Sequence, residues 1–334
     1  MEKRRLGPDG PEVSAIGLGA MSFAGIYGAA SEEDAHAVLA AALDLGINHI
    51  DTSNVYGMGR SEEMIGSFLA RQGKGRDGLF RIATKAGIVR NPPEGGKRFE
   101  NSADYLTAEL EGSLKRLGVE SVDLFYVHRR DQTIPIEEVA GSLAVLVQAG
   151  KTRAIGFSEI APSSLRRAAA VHPVAAVQSE YSLSTRAPEL GLVQACAELG
   201  TALVAFSPVG RGLLTDRPKG PEAIAASQFL TTNPRFQPPN LAVNLAQTDR
   251  FRALAAEMGT SAAALAIAWL RAQGPGVIPI PGTRSVAHLR ELAAGTELDL
   301  AADDLARIEE VLPVGWAYGD RYSDSQWTGP ERYS

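Results

Sequence analysis

The sequence is short of several things, and each shortage excludes a class of protein. Only one cysteine, Cys196, occurs in 334 residues, so no intramolecular disulfide can form. It sits in the apolar helical stretch Leu192-Val193-Gln194-Ala195-Cys196-Ala197, which reads as a buried structural thiol. A reducing compartment fits this usage, and the cytoplasm is the expected location. No apolar run reaches the roughly 18 residues that a membrane-spanning helix needs. The N-terminus is basic at Lys3-Arg4-Arg5 but lacks the apolar core of a signal peptide. Net charge is −6. Basic clusters are brief, as there and at Arg129-Arg130, and no basic stripe appears, which argues against a nucleic-acid partner. The chain also lacks a His/Asp/Glu metal cluster, a serine nucleophile elbow and a pair of catalytic carboxylates. It does not lack a core. Hydrophobic residues make up 45% and charged residues 22%, enough for a large buried interior in one or two domains and too apolar for disorder.

What is present is a regular alternation. Gly7-Pro8-Asp9-Gly10 is turn chemistry between short segments, giving a hairpin over about 3–15. Eight short apolar runs follow, near 15–20, 47–51, 80–85, 122–127, 153–157, 174–178, 202–206 and 277–280. Helical patterns lie between them, near 32–45, 61–71, 103–117, 136–149, 162–171, 188–199, 261–273 and 285–294. Two extra helical patterns stand at 242–258 and 302–311. Ser31-Glu32-Glu33-Asp34 and Ser61-Glu62-Glu63 have the composition of helix starts, and Gly46, Gly118, Gly150 and Gly200 that of helix ends. Strands that are apolar throughout imply a parallel sheet covered on both faces. Eight strand–helix units predict a (β/α)₈ barrel over 1–334, with a doubly wound open sheet as the rival. Three stretches break the rhythm: loops at about 88–101 and 208–240, and an irregular aromatic tail at 313–334 carrying Trp316, Tyr318, Tyr322, Trp327 and Tyr333.

In a parallel α/β barrel, chemistry collects at the carboxyl ends of the strands. Asp51 ends the second run, Lys85 the third and His128 the fourth, and Tyr56 lies in the loop after Asp51. Neighbouring strands run about 4.8 Å apart, so these end residues can converge. The set can move a proton to an oxygen. A phenol ordinarily titrates near pH 10, and a nearby ammonium is expected to lower that value. Asp51 would hold Lys85 charged, and His128 can donate to a carbonyl oxygen. None of the four supplies electrons, which points to a cofactor.

The order Asp51, Tyr56, Lys85, His128 and the phrase Asn48-His49-Ile50-Asp51-Thr52-Ser53-Asn54-Val55-Tyr56-Gly57 resemble the tetrad and first signature of the aldo-keto reductases. The resemblance runs from the hairpin to about residue 312. It implies the barrel, a nicotinamide cofactor laid across its mouth and NADPH-dependent reduction of an aldehyde or ketone. By it Tyr56 is the general acid, Lys85 and Asp51 tune it, and His128 orients the carbonyl. Ser158, Glu159 and Gln178 resemble the contacts to the nicotinamide carboxamide, although relatives commonly carry Asn at the Glu159 position. Phe206 stands where an aromatic stacks on the nicotinamide, and Ser207-Pro208-Val209-Gly210-Arg211-Gly212 resembles the pyrophosphate loop. Gly282, Thr283 and Arg284 open a helix, where backbone amides and a guanidinium suit a phosphate. In the family this segment holds the adenosine 2′-phosphate, which implies NADPH over NADH, with His288 and Glu291 on the next turns. Leu292 stands where relatives usually have Asn. By contrast, Gly73-Lys74-Gly75-Arg76-Asp77-Gly78 fits GxGxxG but precedes a strand, so it is read as a loop. Gly17-Leu18-Gly19 lacks a third glycine and reads as close packing or cofactor approach.

Met21, Phe23, Tyr27, the 88–101 loop and the aromatic tail are the expected pocket walls, suited to an apolar or aromatic carbonyl. Arg129 and Arg130 either favour an anionic substrate or pair with acids on the rim. The expected partner is a small carbonyl compound, with the chain a monomer or weak homo-oligomer. Two other classes stand beside this reading. The fold's relatives include nucleotide-binding β subunits of potassium channels, and a class I aldolase would use a strand-end lysine such as Lys85 as a Schiff base.

Overall fold

The structure is a computed structural model that describes residues 1–26, 28–73, 78–227 and 229–332. Tyr27, Tyr333 and residues 74–77 of the GxGxxG-like stretch lie outside the described residues. Two short strands, β1 (Lys3–Arg5) and β2 (Glu12–Ser14), pair antiparallel as the expected hairpin. Eight further strands make one parallel sheet in sequential order: β3 (Leu18–Gly19), β4 (His49–Asp51), β5 (Arg81–Ala86), β6 (Leu124–Val127), β7 (Ile155–Ser158), β8 (Val174–Glu180), β9 (Ala202–Phe206) and β10 (Val277–Pro279). The Gly17 amide donates to Pro279 O at 2.8 Å and the Gly19 amide to Pro281 O at 2.9 Å, which joins the first strand to the last and closes the barrel. The open sheet is thereby excluded.

Helices cover the outside: α1 (Glu32–Asp44), α2 (Arg60–Arg71), α3 (Ala103–Leu117), α4 (Ile136–Gln148), α5 (Pro162–Ala169), α6 (Leu192–Leu199), α7 (Pro221–Ala225), α8 (Asn240–Glu257), α9 (Ala262–Ala272), α10 (Val286–Ala294) and α11 (Ala302–Val311). The two extra helices of the sequence reading are α8 and α11; α7 is a short helix within the 208–240 connection. The larger apolar cluster lies between helices and strands, with Ile50, Phe125, Ile155 and Val177 facing outward. A smaller one fills the barrel, from Ala83, Leu124, Tyr126, Ala176, Val204 and Ile278, and Leu6 and Val13 of the hairpin plug its floor. Burial on both faces explains why the strands show no polar alternation. Among the described residues no single helix is long and apolar enough to cross a membrane.

The helix signals act largely as expected. Ser31 accepts from the Asp34 amide in a reciprocal capping box. Gly46, Gly118, Gly150 and Gly200 all take left-handed φ values at helix ends. Ser61 is an exception. α2 starts at Arg60, and the Ser61 hydroxyl turns inward, bonding Thr52 Oγ1 at 2.8 Å and Ala20 O at 2.9 Å. Glu62 lies in the first turn as expected, and it is also wholly buried and accepts from Arg116 Nε at 2.6 Å. Both residues tie α2 to strand ends and to α3, so tertiary partners displace the capping role. Cys196 is buried, and burial pushes its thiol up to about 12.

The α2–α3 contact is tight at Gly66, where an added Cβ would stand 2.3 Å from Arg116 O. In an ordinary helix Gly→Ala stabilises by about 1 kcal/mol. Here Gly66→Ala should destabilise by about 2 kcal/mol, read as a lower midpoint in urea. A raised midpoint would contradict this packing.

Candidate active site

The parallel register places the polar strand ends. Asp51 pairs with Ala83, so Lys85 stands two residues further along β5, and side chains two apart share a face. Lys85 in turn pairs with Tyr126, and both are wholly buried. The chain after β6 continues the ladder, with the His128 amide donating to Ala86 O at 2.7 Å. Tyr56 follows in a tight turn whose backbone is left-handed at Gly57 and Met58.

The four residues do converge. Lys85 Nζ donates to Asp51 Oδ1, to Thr52 O at 2.8 Å and to the Tyr56 hydroxyl at 3.4 Å. Asp51 takes a second bond from Gln178 Nε2 at 2.7 Å. The Tyr56 and His128 rings meet edge to face, with centroids 5.7 Å apart. His128 Nδ1 lies 3.1 Å from Ser53 Oγ, which also reaches Lys85 O at 3.2 Å. An ammonium has three N–H groups, and here each has an acceptor. Because the Tyr56 oxygen accepts from Lys85, the phenolic hydrogen is left for another partner. Tyr56 and His128 both line the cleft above, and Lys85 lies beneath them.

The electrostatics correct one expectation. Lys85 was expected to lower the Tyr56 value, but Tyr56 is raised above the ordinary phenol. Burial raises it most, the Asp51 charge adds to that, and Arg129 opposes both. Burial likewise pulls Lys85 down against the attraction of Asp51. It also holds His128 well below the usual imidazole range, with Arg129 and Lys85 adding to the effect. At neutral pH this is a neutral imidazole beside a protonated phenol.

The cleft has a volume of about 1640 Å³ and runs from Tyr56 and His128 to α10. Ser158, Gln178, Phe206, Ser207, Pro208, Val209, Arg211 and Gly212 line it, as do Gly282, Thr283, Arg284, His288, Glu291 and Leu292. Gly210 takes a left-handed φ of 59° within the same loop. Gly282 packs so closely that a Cβ would meet Gly19 O at 2.7 Å, which accounts for a glycine at both positions. Ser285 caps α10 by accepting from the His288 amide. Arg284 donates to Ala29 O and pairs with no carboxylate among the described residues. Burial and the Arg284 charge together hold the Lys219 ammonium below its ordinary range. Two cations that repel across a cleft, beside a helix N-terminus, are chemistry that fits a phosphate.

One expected contact points elsewhere, and a second, Arg211, lines the cleft with its guanidinium already engaged. Glu159 does not line the cleft. Its carboxylate is bound by Arg321 and accepts from Ser179 Oγ at 2.9 Å and the Glu180 amide at 3.0 Å. Burial pushes that carboxyl up, but Arg321 and Arg129 bring it below the ordinary value. The Arg211 guanidinium is held by Glu180 and by Arg321 O at 2.8 Å. Arg321 also stacks over Tyr322 and Trp327, 4.6 and 4.8 Å from their centroids. The tail is therefore pinned across the barrel mouth. Further along, the Glu331 amide donates to Glu159 O at 2.8 Å and the Glu331 carboxylate pairs with Arg130. Of the two arginines after His128, Arg130 thus meets an acid.

Residues 15–313 match the sequence model of the Aldo/keto reductase family. The chain belongs to the aldo/keto reductase family. Similar proteins include "Aldo-keto reductase yakc [NADP(+)]" of Schizosaccharomyces pombe, 40% identical over 322 residues, 96% of this chain and 94% of that one. "Probable aldo-keto reductase 1" of Glycine max is 40% identical over 321 residues, 95% and 91% of the two chains. A solved glycerol dehydrogenase from Gluconobacter oxydans is 30% identical with a TM-score of 0.81, covering 96% of this chain and 98% of its own. A thermostable aldo-keto reductase solved with the inhibitor epalrestat is 28% identical with a TM-score of 0.73, covering 93% and 100%.

Several residues of this aldo/keto reductase's cleft region escaped the sequence reading. Ser53 stands inside the signature phrase, but only the fold reveals its contact with His128. Arg321 binds Glu159 from 162 positions away, and no local pattern marks such a pair.

Proposed function

We propose that this aldo/keto reductase reduces an aldehyde or ketone to the alcohol with NADPH, Tyr56 acting as general acid. The observation that carries the reading is the Lys85 ammonium, engaged with Asp51 and Thr52 O and 3.4 Å from the Tyr56 hydroxyl. With its oxygen accepting from Lys85, the phenol keeps its own hydrogen to donate, which supports this reading. A nicotinamide held in this cleft would supply the hydride for the carbonyl carbon. Tyr56 gives its proton to the carbonyl oxygen, and the charge left on the phenol is met by Lys85. Neutral His128 can orient the same oxygen through Nε2–H in the tautomer whose Nδ1 accepts the single Ser53 hydroxyl hydrogen. Phe206 and Ser158 would flank the nicotinamide, the Ser207–Gly212 loop would carry the pyrophosphate, and Arg284 with Lys219 the 2′-phosphate. The name of the Schizosaccharomyces pombe relative, which carries NADP(+), supports that cofactor. A Schiff-base role for Lys85 is disfavoured because its amine is wholly buried with three acceptors around it.

Tyr56→Phe should lower NADPH-dependent reduction of 4-nitrobenzaldehyde by about 100-fold or more while NADPH binding, followed by fluorescence, persists. Near-wild-type turnover would remove Tyr56 from the role. Arg284→Ala should weaken NADPH by about tenfold or more and NADH little, since only the former carries the 2′-phosphate. Equal losses for both would sink the phosphate assignment.

A further inference from the structure

Arg129 is the cation next to the reacting residues, and it has no carboxylate of its own: the buried Glu159 whose charge it feels is bound by Arg321. Its guanidinium donates through Nη1 to His128 O at 2.7 Å and to Ser158 Oγ at 3.1 Å, and through Nη2 to the Tyr322 hydroxyl at 3.2 Å. All three acceptors are neutral, and no carboxylate forms an ion pair with it among the described residues. A guanidinium has five N–H groups. Three are engaged, which leaves Nε–H and one N–H of Nη2. Nε is not among the buried unpartnered atoms, unlike the Nε of Arg90, Arg130, Arg211 and Arg271. These two nitrogens form one edge of the fork, the edge that binds a carboxylate through parallel bonds.

The side chain is also held in place. Its carbonyl accepts from Asn101 Nδ2 at 3.1 Å, and Asn101 is itself buried. Its stem packs where Gly329 leaves room, since a Cβ there would come within 3.0 Å of Arg129 Cδ and 2.8 Å of the Phe99 ring. Arg129 thus loses little freedom when it binds something. Its surroundings favour an anion. At this end of the cleft Arg98 is a second cation; among the described residues it donates to Ser325 O at 3.2 Å and Thr328 Oγ1 at 3.3 Å, lies 6.0 Å from the Phe99 ring centroid and pairs with no carboxylate. The one acid among the reacting residues, Asp51, is paired with Lys85. The other acids lining the cleft belong to its far half, Asp34 near Arg284, Glu291 on α10, and Asp216 at the start of α9 through its bond to the Ala262 amide.

We propose that Arg129 is the anchor of an anion subsite, and that this enzyme selects carbonyl substrates bearing a carboxylate or comparable anion, bound on the free edge of that guanidinium while Tyr56 and His128 hold the carbonyl oxygen. The proposal rests on the reading that Tyr56 faces a substrate carbonyl. It assigns Arg129 to specificity, with Arg130 excluded by its pairing with Glu331.

The test compares 4-carboxybenzaldehyde with its neutral methyl ester, methyl 4-formylbenzoate, using NADPH and the full chain. The wild type should favour the acid in kcat/KM by about 10- to 100-fold, mainly through KM. Arg129→Met should erase that ratio, and Arg129→Lys should keep part of it, since lysine retains charge without the fork. 4-Formylphenyl phosphate decides the source of the anion, carboxylate or phosphate, by which of the two charged aldehydes gives the higher kcat/KM. Equal kcat/KM for acid and ester in a wild type that reduces both would overturn the subsite and leave the carbonyl-reduction reading intact. An Arg129→Met variant that binds NADPH less well but keeps the acid-to-ester ratio would also overturn it, by assigning the guanidinium to Ser158 and the cofactor. If no aldehyde is reduced, calorimetric titration of terephthalate into the NADP+-bound protein decides. Binding that Arg129→Met weakens about tenfold supports the subsite, and absent or unchanged binding overturns it.

Discussion

The structure depends on one buried charge pair, the Lys85 ammonium against the Asp51 carboxylate inside the barrel. Taking such ions out of water costs several kcal/mol each, which their attraction repays only when every remaining donor and lone pair is satisfied. Here every ammonium hydrogen has an acceptor and each Asp51 oxygen has a donor, drawn from three strands. Asp51 ends β4, Lys85 lies on β5, and Gln178 reaches from β8 to the second oxygen of Asp51. Thr52 O closes the set. The pair is therefore possible only in a closed barrel with this register, and the register in turn decides where Tyr56 finds its neighbour. Folding and chemistry share this constraint.

A second set of charges shapes what lies above. Glu159, Glu180, Arg211 and Arg321 are all buried, and they join the end of β7, the end of β8, the loop after β9 and the C-terminal tail. With Tyr322, Trp327 and Phe229 set against the network's arginines, the tail forms part of the barrel mouth. The cleft thereby gains a fixed aromatic wall from residues that are distant in sequence. Met21 of the expected pocket wall lines the same cleft, and Phe23 is buried in the core instead.

What could be read from the sequence followed the range of the interactions involved. The barrel was legible because its signals are local: eight apolar strand runs, and helix-end glycines at Gly46, Gly118, Gly150 and Gly200. Asp51, Lys85 and His128 were legible because each sits at the end of such a run. Glu62 and Glu63 do lie in the first turn of α2, whereas Ser61 was misread as a helix cap, since its inward bonds to Thr52 and Ala20 come from elsewhere in the chain. Glu159 was placed at the cofactor for the same reason: Arg321, which turns it away, lies in a tail with no periodic pattern. The direction of the Tyr56 shift was missed because proximity to an ammonium was weighed and burial was not.

The central claim is that burial and the Asp51 charge keep Tyr56 a protonated donor despite its lysine neighbour. Carbon-13 NMR of protein labelled at the tyrosine ζ carbon, with Tyr56→Phe to assign the signal, reports that protonation state directly. In the cofactor-free protein the Tyr56 signal should remain that of the neutral phenol through the ordinary midpoint of 10.0. A midpoint below that value would mean that the ammonium prevails over burial, and the account of the site given above would be contradicted.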